Sequence, residues 1–141
     1  MKTTFSGICF GLSACLLVFF SSCKSFDSTV NQEWDGENFF VAAQDASDND
    51  NYDQALFYYQ VFLTRYPENF RKVAAAQYEI GFIYYKKGQY KQARQVLEAV
   101  LELYATSPYI IYMEERYKTL SEIVIKNIDE KTRKKGKLKT S

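Results

Sequence analysis

Histidine is absent from the 141 residues, and the three cysteines, Cys9, Cys15 and Cys23, all lie near the start of the chain. Beyond Cys23 there is therefore no disulfide framework, no Cys/His zinc site and no histidine-based catalytic triad. Proline is nearly as scarce, with Pro67 and Pro108 alone, so long stretches carry no helix breaker. No phosphate-cradling glycine loop occurs, and no carboxylate pair sits in a recognisable pocket motif. The chain thus reads as a non-enzyme with no cofactor and no resident metal. What is plentiful is tyrosine (12) and phenylalanine (11), in a chain that is 47% hydrophobic with 18 basic and 17 acidic residues. Length and composition predict one folded domain rather than a disordered chain.

The first segment reads as an export signal over residues 1–22. Lys2 supplies a positive start, Phe5 to Phe20 is apolar and nearly uncharged, and Ser21-Ser22-Cys23 offers small residues for cleavage. The apolar run is short for a membrane span of about 20 residues and ends on small residues rather than a basic stop. Phe20-Ser21-Ser22-Cys23 resembles a bacterial lipobox, which implies lipidation of Cys23 and a membrane anchor there. Residue 24 is Lys, whereas Asp is the familiar inner-membrane retention signal, so the expected location is the outer membrane, facing the periplasm. Residues 23–37 read as a lipidated N-terminus and acidic tether, in which Trp34 is expected to fold back over the first helix.

From Asp27 to Asp53 the chain carries eight acidic residues and no Lys or Arg. Asp48-Asn49-Asp50 resembles the opening of a calcium loop, but the central glycine is missing and Tyr59 stands where a bidentate glutamate belongs. A turn between helices accounts for Asp48 to Asn51 more simply, because Asp and Asn side chains stabilise such turns.

Tyr78 to Tyr104 reads as two amphipathic helices around a break at Lys87-Gly88-Gln89. Ile80, Gly81, Tyr84 and Tyr85 recur at helical spacing in the first, and Ala93, Val96, Leu97, Val100 and Leu101 in the second. Gly81 and Ala93, small on each stripe, allow close approach of the axes. Gly88 suits the left-handed residue that ends a helix. These residues, with Tyr90, resemble the tetratricopeptide repeat. Tyr52, Ala55, Tyr59, Phe62 and Pro67 fall on the second-helix pattern of an earlier copy, 38 positions before, longer than the usual period of about 34. That length, and Arg65-Tyr66-Pro67 before a helix carrying Ala76, Tyr78 and Ile80-Gly81, is similar to the repeats of the BamD family of outer-membrane assembly lipoproteins and of periplasmic cell-division coordinators.

The resemblance implies an all-α fold of about two and a half repeats, five main helices in a short right-handed superhelix over residues 38–130. The expected helices are Phe39 to Ser47, Tyr52 to Tyr66, Lys72 to Lys87, Gln89 to Tyr104, and Tyr109 to about Ile128, the last capped by Ser107-Pro108. Residues 131–141, with six basic residues and no acid, are expected to form a disordered, solubilising tail. In this family the first helices line a concave groove that takes up peptides. The mapping points to Phe40 and Gln44, to Tyr78, Phe82, Tyr85 and Lys86, and to Lys118 and Glu122. It implies a scaffold that binds other envelope proteins or peptides, with outer-membrane protein assembly as the specific expectation. The alternative is a small solute or hydrophobic ligand in the groove. Nucleic acid is not an expected partner of an exported protein, whereas a second copy completing an open end, to give a homo-oligomer, is.

Overall fold

A computed structural model describes residues 30–139, with side chains to residue 135. The export segment 1–22, Cys23 and the first part of the tether lie outside the described residues. Five α-helices follow one another: α1 (Gly36–Asp48), α2 (Tyr52–Arg65), α3 (Phe70–Lys86), α4 (Tyr90–Thr106) and α5 (Arg116–Lys139), with a 3-10 turn at Ile110–Tyr112 before the last. No strand occurs among the described residues. The fold is all-α and tetratricopeptide-like, as expected.

The two helix pairs end their first members in the same way. Gly88, at φ +72°, donates its N–H to the Tyr85 carbonyl while Gln89 donates to Tyr84. At the equivalent place Asp50, at φ +56°, donates to Ser47 while Asn51 donates to Ala46. Both are the paired closing bonds of a helix that terminates on a left-handed residue. Asp48-Asn49-Asp50 is therefore a helix stop, and among the described residues no group of three or more metal-ligating side chains could hold an ion.

α1 begins earlier than expected, because Asp35 caps it. Its carboxylate accepts from the Asn38 N–H at 2.9 Å while the Asn38 side chain accepts from the Asp35 N–H at 3.2 Å. That reciprocal box satisfies two donors that would otherwise be free at the helix start. Trp34, just before it, packs against Phe39 and Tyr58 with ring centroids 5.4 and 5.7 Å away, and its carbonyl accepts from the Tyr66 hydroxyl. The last part of the presumed tether is thus structured.

Two buried clusters form the core. Phe39, Ala43, Ala55, Tyr59, Phe62 and Ile83 are fully buried in one, and Ala74, Ala93, Leu97 and Val100 in the other, where α5 adds Tyr117, Val124 and Ile128. Gly81 makes the closest approach: a Cβ built there would stand 2.8 Å from Leu97 Cγ. Leu97 rather than Ala93 is the residue that fills the space glycine leaves.

Two expectations are corrected at the C-terminal end. Ser107-Pro108 does not start the fifth helix. Ser107 Oγ accepts from the Tyr109 N–H, i→i+3 bonds follow at Tyr112 and Met113, and extended backbone at Met113 (ψ 141°) interrupts before Arg116. The buried Met113 side chain and the bond from the Tyr104 hydroxyl to the Glu114 carbonyl fix that interruption. Phe70 stacks on Tyr109 at 3.8 Å and draws the connection onto the start of α3. The second correction concerns residues 131–141: α5 runs on through the basic stretch to Lys139. Lys and Arg are good helix formers, and positive charge near a helix C-terminus is favoured by the backbone dipoles.

Candidate functional site

The helices are antiparallel neighbours, so the starts of α1, α3 and α5 come together. Lys72, in the first turn of α3, pairs with Glu37 in the first turn of α1 and lies 4.8 Å over the Phe40 ring. Above these starts opens a cleft of about 390 Å³ that runs the length of α1, lined by Glu37, Phe40, Val41, Gln44, Asp45 and Asp48 of α1, Arg71, Lys72 and Ala75 of α3, and Glu114, Arg116 and Tyr117 at the entrance to α5. The α1 wall is acidic and the facing wall carries Arg71, Lys72 and Arg116, of which Arg116 pairs with Glu114. Phe40 and Val41 give the floor an apolar strip beside this charge.

The carboxyl of Glu79 follows Ala75 by one helical turn on the same face of α3. Burial, then the negative charge of Asp48, pushes it up to about 7, against the opposing pull of Arg116. Gln44 Nε2 donates to the Tyr59 hydroxyl at 3.2 Å, and burial holds that phenol well above its ordinary value. The cleft therefore presents an amide anchored from below and aromatic edges, and two of its lining residues, Asp48 and Arg116, act on the part-buried Glu79 carboxyl beside it. It contains no nucleophile–base pair.

Of the residues expected in the groove, Phe40 and Gln44 line this cleft. Phe82 and Lys86 line a separate hollow of about 210 Å³ with Ser47, Asp48, Asp50, Tyr52 and Ile83. Tyr78 is 7% exposed; its ring meets Tyr117 at 5.6 Å and Phe82 at 5.9 Å, and burial pushes its phenol up to about 12. Tyr85 continues this ladder, 6.0 Å from Phe82 and 5.8 Å from Tyr90, with Lys131 Nζ 4.8 Å above its ring. The hydrogen bond with Tyr85 is the first cause of a raised pKa at Lys131. Tyr78 and Tyr85 thus face α5 rather than open space. Lys118 pairs with Glu115, and neither Lys118 nor Glu122 lines either hollow.

Sequence reasoning missed Asp48, Glu79, Arg116 and Tyr117 as a group. A signal was present for Glu79: it is the single charged residue between Val73 and Tyr85. Arg116 and Tyr117 were hidden by the misplaced start of α5.

Comparison with known proteins agrees with the helix pairing. Residues 46–114 match the family model of the tetratricopeptide repeat. The chain is similar to the outer membrane protein assembly factor BamD of Neisseria gonorrhoeae, 27% identical over 86 residues that cover 61% of this chain and 32% of the relative. BamD of Neisseria meningitidis serogroup A gives the same figures, and that of serogroup B is 26% identical over the same length. The chain thus spans about a third of the length of the curated relatives it matches. No solved structure matches.

Proposed function

We propose that this tetratricopeptide-like chain is a lipid-anchored protein of the bacterial envelope that binds other proteins through its concave cleft and acts as a scaffold without chemistry of its own, in outer-membrane protein assembly. The observation that carries the binding role is the cleft that runs along α1 beside the first turns of α3 and α5, where Phe40, Gln44 and Tyr117 stand between walls of opposite charge. Such a surface suits a peptide or helix with an apolar stripe flanked by mixed charge. Rigid aromatic edges lose little entropy on binding, and opposed charge fixes register. The similarity to BamD repeats supports envelope assembly as the setting, and the lipobox-like Phe20 to Cys23 supports the anchor. Capture of a small solute is the second reading, favoured by a cleft volume within the range of small-ligand sites, about 300–1,000 Å³.

The test places a photo-crosslinking residue at Gln44, which is exposed in the cleft, and another at Gln92, exposed at the opposite edge. Native envelopes are irradiated, with wild-type Cys23 and with Cys23→Ala. The expected result is capture of barrel-assembly components from position 44 alone, from a membrane-bound protein that Cys23→Ala releases. Equal capture from both positions defeats the cleft as the binding face. Unchanged fractionation of Cys23→Ala defeats the anchor. If no protein is captured while a small ligand raises the melting temperature, the scaffold reading gives way to the solute reading.

A further inference from the structure

The exposed large hydrophobic residues of the described chain are scattered except in one place. Val41 and Ile123 stand singly, whereas Tyr109, Ile110, Ile111 and Tyr112 are consecutive, and Ile111 is 84% exposed. This projection is held rigidly. Phe70 stacks on Tyr109 at one side, Met113 is buried at the other, and the Tyr104 hydroxyl holds the Glu114 carbonyl at 2.6 Å. A tip of two isoleucines bracketed by tyrosines has the composition of a segment at a lipid–water boundary, where aliphatic groups enter the hydrocarbon and tyrosines sit at headgroup level.

The position of the tip agrees with that composition. The starts of α1 and α3 are joined by the Lys72–Glu37 pair, and the start of α3 meets the tip through Phe70 and Tyr109. At the same edge, Gln32 accepts from Arg65 and the Trp34 carbonyl accepts from Tyr66, pinning the incoming chain to the end of α2. The opposite edge is marked by the Lys87–Asp53 pair, where α3 ends and α2 begins. Val30 follows Cys23 by seven residues, which span at most about 25 Å when extended. Two helix spacings, about 20 Å, separate the start of α1 from that of α5. A lipid on Cys23 therefore brings this edge to the bilayer and puts the tip within reach of the same surface.

We infer that the edge formed by the starts of α1 and α3 and by the α4–α5 connection lies against a lipid bilayer, with Ile110, Ile111 and Tyr112 entering its headgroup boundary as a second attachment. This rests on the lipoprotein reading above. The second contact fixes the orientation of the domain, which a single attachment at Cys23 leaves free, and holds the cleft at a set height above the membrane. The charges around the tip are mixed, Glu68, Glu114 and Glu115 against Arg71 and Arg116, so the attachment is apolar and insensitive to salt.

The mature acylated chain has no other thiol, so Ile111→Cys takes a single environment-sensitive fluorophore. Gln92→Cys, at the opposite edge, is the control. Both are reconstituted through the native anchor into phosphatidylethanolamine–phosphatidylglycerol vesicles carrying spin-labelled quencher lipids, and the mass of the Cys23 adduct is measured separately. The expected result is a blue-shifted emission at position 111 quenched several-fold more than at position 92, equal at 50 and 500 mM salt. Equal, water-like emission at both positions on protein that remains with the vesicles overturns the proposal while leaving the anchor intact. Protein without an acyl mass that does not stay with vesicles overturns the anchor and this placement together. Shielding of position 111 in native envelopes but not in pure lipid assigns the tip to a protein partner, and likewise overturns it.

Discussion

Glu79 offers a sharp test of how α3 is packed beside the cleft, because a part-buried acid and its neighbours leave a signature in stability. Its carboxyl is pushed up to about 7, chiefly by burial and then by Asp48. In the unfolded chain it returns to about 4.3. The folded state therefore binds the proton more tightly, and folding stability falls as pH rises from the unfolded value through the folded one, then levels above about pH 7. Between pH 5 and 8 the loss amounts to roughly 2 kcal/mol once screening by water at this part-buried side chain is allowed for. The chain has no histidine, so no imidazole titrates in this window. Urea unfolding followed by far-ultraviolet circular dichroism at pH 5 and pH 8 should show the wild type less stable at pH 8 by that amount. Glu79→Gln should be nearly level between the two, and more stable than wild type at pH 8. Asp48→Asn, which removes the second cause, should give an intermediate slope. A wild type equally stable at both pH values, or a Glu79→Gln variant that keeps the full slope, would refute the burial of this carboxyl between α1 and α5.

The packing makes further predictions. Gly81→Ala places a methyl against Leu97 Cγ, which is fully buried and has little room to yield. Overpacking of about 2–3 kcal/mol should outweigh the helix-propensity gain of about 1, for a net loss of roughly 1–2 kcal/mol in chemical denaturation. The equivalent left-handed positions should respond with opposite signs. Gly88→Ala should lose about 1 kcal/mol, whereas Asp50→Gly should gain a few tenths, the relief being partly offset by loss of the Tyr52–Asp50 hydrogen bond. Tyr85→Ala removes a ring held between Phe82, Tyr90 and Lys131. It should lower stability by about 2 kcal/mol with little change in Gln44-directed crosslinking; unchanged stability with lost capture would return Tyr85 to the groove.

The repeat was legible because its marks are local. Gly88 announces a left-handed stop, Pro67 ends α2, and Ala55 and Ala93 recur at one spacing among aromatic and branched neighbours. Asp50 was read as part of a turn but not as the counterpart of Gly88, since an aspartate at positive φ leaves no trace in hydrophobic pattern. The fifth helix was misplaced because Ser107-Pro108 is a sound local start signal that loses to tertiary contacts: Tyr109 is taken by Phe70 and Met113 by the core, and the intervening chain forms a 3-10 turn instead of α-helix. The cleft was half legible for the same reason. Phe40 and Gln44 follow from the register of α1, whereas Arg116 and Tyr117 depend on where α5 begins. Tyr78 and Phe82 share a helical face, yet periodicity cannot say whether a face meets solvent or another helix. In the fold, Tyr117 covers Tyr78.

The two edges of the helix stack differ in chemistry as well as position. One consists of the Schellman-type stops at Asp50 and Gly88, polar and tied across repeats by Lys87 and Asp53. The other gathers Trp34, Tyr66, Phe70 and Tyr109, then projects isoleucine into water. A folding requirement accounts for the first edge, because a short turn between antiparallel helices needs a residue tolerant of positive φ. It also accounts for the half-buried Trp34 and Tyr66 of the second, which close the start of α1 and the end of α2. It does not account for Ile110 and Ile111, about half and mostly exposed, which pack into neither core cluster. Nor does it account for Glu79, since a glutamine there would avoid burying a carboxyl beside Asp48. Features that weaken a fold and survive beside a cleft and at one edge are where binding, rather than folding, explains the residue present.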